Sequence, residues 1–265
     1  MDRQPLELPD LELITALQPT DWQNIIPSIE FYINSTFCFP IKLIIDNKIV
    51  GIGTTIIHND IAWLAHIIVH PEHRNQGIGK IITQTLVDSL QTKCDTIYLI
   101  ATDLGKPVYK KIGFETETEY LFFKDIQADR NWKISEGILP YADNFKPYIA
   151  RLDRRVSGED RLFHLEQYLG NSSVYVQNNI VEGFYLPSCG EGLITAITNP
   201  AGSELMKLRL MTNENAAFPR DNLTATAFMH QNNFKEFKRA TRMRLGIKKR
   251  WQPANIYNRI AGNLG

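Results

Sequence analysis

Arg74-Asn75-Gln76-Gly77-Ile78-Gly79-Lys80 decides the reading of this chain. Before it, residues 62–69 form an apolar, β-branched run that ends at His70-Pro71. Proline removes a ladder donor there and turns the preceding residue away from helix. After it, Ile78, Ile81, Ile82, Leu86, Val87 and Leu90 recur at three- and four-residue spacings, which describes a helix with one buried face. The stretch is therefore a strand-to-helix loop. Free backbone N–H groups and the helix dipole favour an anion at such a point, and a pyrophosphate fits. Gly77 and Gly79 let the backbone approach phosphate oxygens, and Arg74 and Lys80 supply charge-assisted hydrogen bonds. The loop has neither GxxxxGK[ST] nor GxGxxG spacing, which argues against nucleotide hydrolysis and nicotinamide binding. Alone, an Arg/Gln-x-x-Gly-x-Gly/Ala pattern arises by chance about once in every few chains of this length, so its context must carry the weight.

That context is a run of elements. The sequence predicts a helix over 21–32, then strands over 41–46 and 49–57 separated by Asn47 and Lys48, a hairpin signal. Strand 62–69, the helix from 78, strand 96–101, a short helix from Lys106 to the stop residue Gly113, and strand 115–124 follow. This order predicts an α/β (α+β) domain, a mixed, mostly antiparallel sheet with flanking helices, over residues 1–125. Residues 126–151, with Pro140 and Pro147 among many charges, read as a linker with short local structure. Residues 152–265 read as a second domain, with strands at 173–177, 180–186, 193–197 and 239–245 and helices at 204–211 and 223–231.

Bulk properties narrow the function. Lysine plus arginine and aspartate plus glutamate number 29 each, so no net field draws the chain to nucleic acid or an anionic membrane. The Lys248-Lys249-Arg250 run reads as solvated surface. Cys38, Cys94 and Cys189 have no CxxC pairing, and His70 and His73 lack further ligands nearby, so no metal is expected. A polar, acidic start and the lack of a long apolar run predict a cytoplasmic protein.

With its flank, Val69-His70-Pro71-Glu72-His73-Arg74-Asn75-Gln76-Gly77-Ile78-Gly79 resembles the signature of the GNAT superfamily of N-acetyltransferases. Ala101-Thr102-Asp103-Leu104-Gly105-Lys106-Pro107-Val108-Tyr109-Lys110-Lys111-Ile112-Gly113-Phe114 resembles that superfamily's later helix. The resemblance implies acetyl-CoA as co-substrate. Its pyrophosphate would lie on Arg74, Asn75, Gln76, Gly77, Ile78, Gly79 and Lys80, its pantetheine arm along Ile67, Ile68 and Val69, with Thr102 and Gly105 also near the cofactor. It implies direct attack of an acceptor amine on the thioester, with Tyr109 protonating the leaving thiolate. An alkyl amine is neutral in roughly one molecule in a few thousand at pH 7, so a base or a desolvated pocket must help. His66 is a candidate base, and a one-residue bulge would decide whether it faces cleft or core. The acceptor implied is the primary amine of a small metabolite; a protein lysine or N-terminus, and a non-catalytic acyl-CoA sensor, are the alternatives.

The second half repeats the strand and helix order without the active parts. Met229 precedes Phe234 by five residues, as Tyr109 precedes Phe114, with Asn233 in the place of Gly113. Asn199-Pro200-Ala201-Gly202-Ser203-Glu204 lacks the phosphate pattern and adds a carboxylate, so coenzyme A is expected to bind once. This resembles the GNAT proteins with a second, degenerate GNAT-like domain ending in an Arg-Met element, here Arg242-Met243. Trp251 and Tyr257 are candidates to line or cover the acceptor site, and homodimerisation is an alternative role for the second domain.

Overall fold

Two tight hairpins organise the chain. In the computed structural model, which describes residues 2–20, 22, 24–129 and 131–265, strand β2 (Cys38–Ile45) turns into β3 (Lys48–His58) through Asp46 and Asn47. Both turn residues have positive φ, 47° and 60°. Left-handed residues at both central positions match the twist of the flanking strands, which is why Asp and Asn serve here. The turn sits one residue earlier than the sequence suggested. The same device recurs far along the chain: β8 (Ser173–Gln177) passes into β9 (Ile180–Leu186) through Asn178 and Asn179, with φ of 49° and 62°.

Each hairpin belongs to its own unit. The first comprises Met1–Glu115 and Met243–Ile247, and the second Thr116–Arg242 and Lys248–Gly265. In the first, β1 (Asp2–Pro5), β2, β3 and β4 (Ile61–Val69) pair antiparallel in that order, and β5 (Thr96–Ala101) joins β4 in parallel. Helix α1 (Ile26–Asn34) packs near β2, α2 (Ile78–Asp88) lies on β3 and β4, and α3 (Lys106–Ile112) lies beside α2. The helix expected over 21–32 thus begins later, and its expected residues Asp21 and Gln23 lie outside the described residues. Ile78, Ile82, Leu86, Val87 and Leu90 are buried as the periodicity predicts, but Ile81 is exposed. The mixed α/β sheet expected from the element order is the sheet observed.

In the second unit, β7 (Ile138–Pro140), β8, β9, β10 (Leu193–Ala196) and β13 (Ile256–Asn258) form one antiparallel sheet. From β6 (Glu115–Phe123), the part within this unit pairs with β11 (Ala216–Pro219). Strand β12 (Glu236–Gly246) runs beside β6 up to Arg242. Helix α6 (Asn199–Leu210) packs on β9 and β10, and α7 (Leu223–Gln231) lies against α6. Phe123 and Phe218 stack in the core at 5.4 Å.

Two sequence expectations fail here. The segment 126–151 is not a linker: it holds β7 and the start of α4 (Lys146–Ser157), which precedes the short α5 (Leu162–Leu165), and the units divide at Glu115 rather than at 125. Along α4, Ile149, Leu152, Asp153 and Val156 are buried at helical spacing. The buried charge is neutralised by Arg161, which grips both carboxylate oxygens of Asp153 at 3.0 Å. Second, the helix expected over 204–211 begins at Asn199, so 199–204 is not a loop. Thr198 caps it by accepting from the Ala201 N–H, and proline in the first turn needs no partner for the hydrogen it lacks. Among the described residues, no helix is long and apolar enough to cross a membrane.

Candidate active site

Strands β4 and β5 pair only over Ile61↔Thr96, Ala62↔Ile97 and Trp63↔Tyr98. The buried rings of Trp63 and Tyr98 meet at 5.2 Å at the last pair. Both strands continue, to Val69 and Ala101, without pairing further. The edge of β4 that faces β5 is thereby released over the stretch containing Ile67, Ile68 and Val69. Opposite, β4 stays paired with β3, but a register shift between Ile52 and Thr54 leaves Gly53 facing a bulge at His66 and Ile67. His66 carries the bulge with a positive φ of 45°, a conformation that costs a β-region side chain energy and re-aims it.

Helix α2 starts where the strands part. It comes close because Gly51 and Gly53 offer no side chain: a Cβ on either would stand 2.7 and 2.6 Å from atoms of Ile82. These two glycines set the height of the helix above the sheet, and nothing in their local sequence announces it. The residue before the helix, Gly77, has φ +82°, and no side chain caps this end. A Cβ on Gly77 would meet nothing within 4 Å, and one on Gly79 would meet only Val69 Cγ2 at 3.7 Å. Packing within the chain thus leaves Gly79 free to be any small residue. A bare, uncapped N-terminus with open space above it fits a pyrophosphate, which takes N–H bonds and needs the backbone close.

The rest of the loop is shaped for access. Asn75 is left-handed at φ +62°. Arg74 is exposed and donates its Nε to the Val69 carbonyl at 3.3 Å, so that carbonyl is already engaged. The Gln76 amide donates to the Glu72 carbonyl at 3.2 Å, and Lys80 is exposed. Thr102 closes the turn after β5, accepting from the Gly105 N–H with both its carbonyl and its hydroxyl.

Tyr109 lies over Gly105: a Cβ there would stand 2.7 Å from the ring. Phe114 meets the ring edge-on at 6.0 Å, and Gly113, at φ +108°, ends the helix. Desolvation by burial pushes the phenol up to about 12. The hydroxyl has no hydrogen-bond partner among the described residues, so at neutral pH it is a protonated donor with its bond unspent.

His66 is half-buried, with Nδ1 2.9 Å from the Tyr32 hydroxyl and the Trp22 ring edge-on at 5.9 Å. Burial lowers its pKa to about 4, so the ring is neutral at pH 7. The structure sets Arg74, Val69 and Gly79 side by side, and Tyr109 with Gly105; His66 contacts Tyr32 and Trp22 instead of these. Tyr257, a candidate to line the acceptor site, is buried inside the second unit, 1% exposed, and Trp251 stacks under the Arg242 guanidinium at 3.9 Å. Met243 joins the first unit's core.

Comparisons with known proteins bear on the domain and the fold. Residues 40–116 match the family model of the acetyltransferase (GNAT) domain. A mouse protein named cysteine-rich protein 2-binding protein is 33% identical over 64 residues, 24% of this chain; the match spans only 8% of that relative. A solved structure from Pyrococcus horikoshii, classed with the acetyltransferases, superposes with a TM-score of 0.83 at 21% identity, covering 100% of this chain and 95% of its own. A tandem GNAT protein from the clavulanic acid biosynthesis pathway gives 0.62 at 14% identity, over 92% of this chain and 98% of its own. At these identities the likeness is one of fold, and the fold shared is the tandem one.

Proposed function

We propose that this chain, whose residues 40–116 match the acetyltransferase (GNAT) domain model, is an N-acetyltransferase. It moves the acetyl group of acetyl-CoA to the primary amine of a small metabolite in a ternary complex. The observation that carries this reading is the uncapped, glycine-lined start of α2 at the parting of β4 and β5. Residues 76–80 would hold the pyrophosphate and the freed edge of β4 the pantetheine arm, and the thioester supplies the activated acetyl group. In one step the amine nitrogen bonds the acetyl carbon, the carbon–sulfur bond breaks, and the electron pair leaves on sulfur.

Tyr109 supports the leaving group. A phenol held near 12 is a weaker acid than a thiol near 8.5, so it acts first by donating a hydrogen bond to the developing thiolate. The proton lost by the amine then balances the thiolate's need. His66, neutral and held through Nδ1 by the Tyr32 hydroxyl, keeps its other ring nitrogen, Nε2, as the one that could take that proton. Turnover of acetyl-CoA against a panel of small amines tests the proposal. Acetylated amine formed with loss of thioester is the expected result; hydrolysis alone, or acetylation of peptides only, would contradict the small-amine reading.

A further inference from the structure

The second half of the chain repeats the element order of the first, β8-β9-β10-α6-β11-α7-β12 against β2-β3-β4-α2-β5-α3-β6. Strands β10 and β11 stand in the places of β4 and β5, and α6 in that of α2. Yet β10 and β11 belong to different sheets, and the C-terminal segment fills the space where they would meet. Strand β13 runs antiparallel to β10, with Asn258 opposite Ile194, Ile256 opposite Thr195 and a register shift between. Its other side reaches β11 without regular pairing. The Asn258 Oδ1 accepts from the Ala217 N–H at 2.9 Å, and the Arg259 N–H donates to the Ala217 carbonyl at 2.8 Å. Asn258 Nδ2 donates back to the Gly192 carbonyl at 2.8 Å.

Tyr257 completes the seat. Its ring lies on Gly202, where a Cβ would stand 2.0 Å from it, and its hydroxyl donates to Asn199 Oδ1 at 3.4 Å, at the start of α6. Asn255 Nδ2 donates to the Ala196 carbonyl at 2.7 Å, and the Ile256 carbonyl accepts from Asn222 at 3.0 Å. The segment makes the contacts of a bound peptide: main-chain bonds along a strand edge, with a side chain in a fitted slot.

We propose that residues 255–259 are a built-in peptide ligand of the second unit, filling the opening that the first unit keeps clear. The second unit therefore has a cleft selective for an extended peptide with asparagine and tyrosine side chains, and its own tail saturates it. This stands whatever binds the first unit's opening.

The test uses the full chain, folded and then cut at a protease site inserted after the exposed Ile247. A labelled peptide of residues 248–265 should exchange with the cut tail. The Tyr257→Ala and Asn258→Ala peptides should compete at least tenfold less well, and millimolar acetyl-CoA should not compete. Failure of the peptide to enter, equal competition by the substituted peptides, or displacement by acetyl-CoA would overturn the proposal. If the cut chain unfolds, hydrogen exchange in the uncut chain decides. The Ala217 and Arg259 amides, both bonded through the segment, should exchange together through a local opening, at least tenfold faster than those of Leu205 and Met206 in α6. Exchange at the same rate as α6 would make the segment a fixed strand of the core and overturn the proposal.

Discussion

Helices α2 and α6 occupy the same place in the two units and begin in opposite ways. The first starts at left-handed Gly77 with no cap and open space above it. The second starts at Thr198, whose hydroxyl caps the helix and donates to Glu182 at 2.7 Å, with the Tyr257 ring filling the slot at Gly202. One helix end has no side-chain cap; the other has one, from Thr198 to the Ala201 N–H. Free N–H groups at a helix start cost stability unless a partner arrives. Under the proposed function, the contrast separates a unit open to a ligand from one closed on itself.

The largest effects should fall on the helices that follow. Tyr109→Phe should lower turnover by about 10²–10³-fold with acetyl-CoA affinity near wild type, as loss of a proton donor does. Met229→Leu, at the equivalent site of the second unit, should leave turnover unchanged. Steady-state kinetics on both variants measures the contrast, and equal losses would break it.

The glycines come next. Gly202→Ala should destabilise by about 3 kcal/mol, because the new Cβ overlaps a buried ring. Gly79→Ala should be neutral or stabilising by up to about 1 kcal/mol, since it removes a glycine from a helix and meets only Val69. Denaturant titration should thus show a clear loss for Gly202→Ala and none for Gly79→Ala.

Acid should act on the first unit through His66. Its folded-state pKa is depressed, from 6.5 to about 4, by burial. The stability it contributes is therefore complete above pH 6.5 and is lost as pH falls toward 4, by no more than about 3 kcal/mol. In a His66→Gln variant, that part of the pH dependence should vanish from a series of denaturant midpoints.

A smaller loss than that of Gly202→Ala is expected at the cap. Thr198→Ala should cost about 1 kcal/mol, read in the same titrations.

Much of this was legible in the sequence, and the exceptions share a cause. Strands 173–177, 180–186 and 96–101 carry their β-branched pattern locally and are observed at those bounds. Tyr109 and Met229 were paired by spacing alone, and both helices close alike. The Phe114 N–H bonds the Tyr109 carbonyl at 3.0 Å, and the Phe234 N–H bonds that of Met229 at 2.9 Å. Helix α4 was missed because its buried face includes Asp153, acceptable only with Arg161 eight residues on. The start of α6 could have been found, since Thr-Asn-Pro is a helix-start signal. The roles of Gly51, Gly53 and Gly202 could not: each is set by a side chain from another element. Whether His66 sits at a bulge is set by the register with β3, which the local sequence does not carry.

The central claim is that the start of α2 is an anion site for acetyl-CoA. Calorimetric titration of the purified chain with acetyl-CoA, beside a Gly77→Val/Gly79→Val variant, tests it most directly. We predict one saturable site in the wild-type chain, weakened by about 100-fold or more in the variant through loss of charge-assisted backbone hydrogen bonds. No binding by the wild type, or undiminished binding by the variant, would contradict the account.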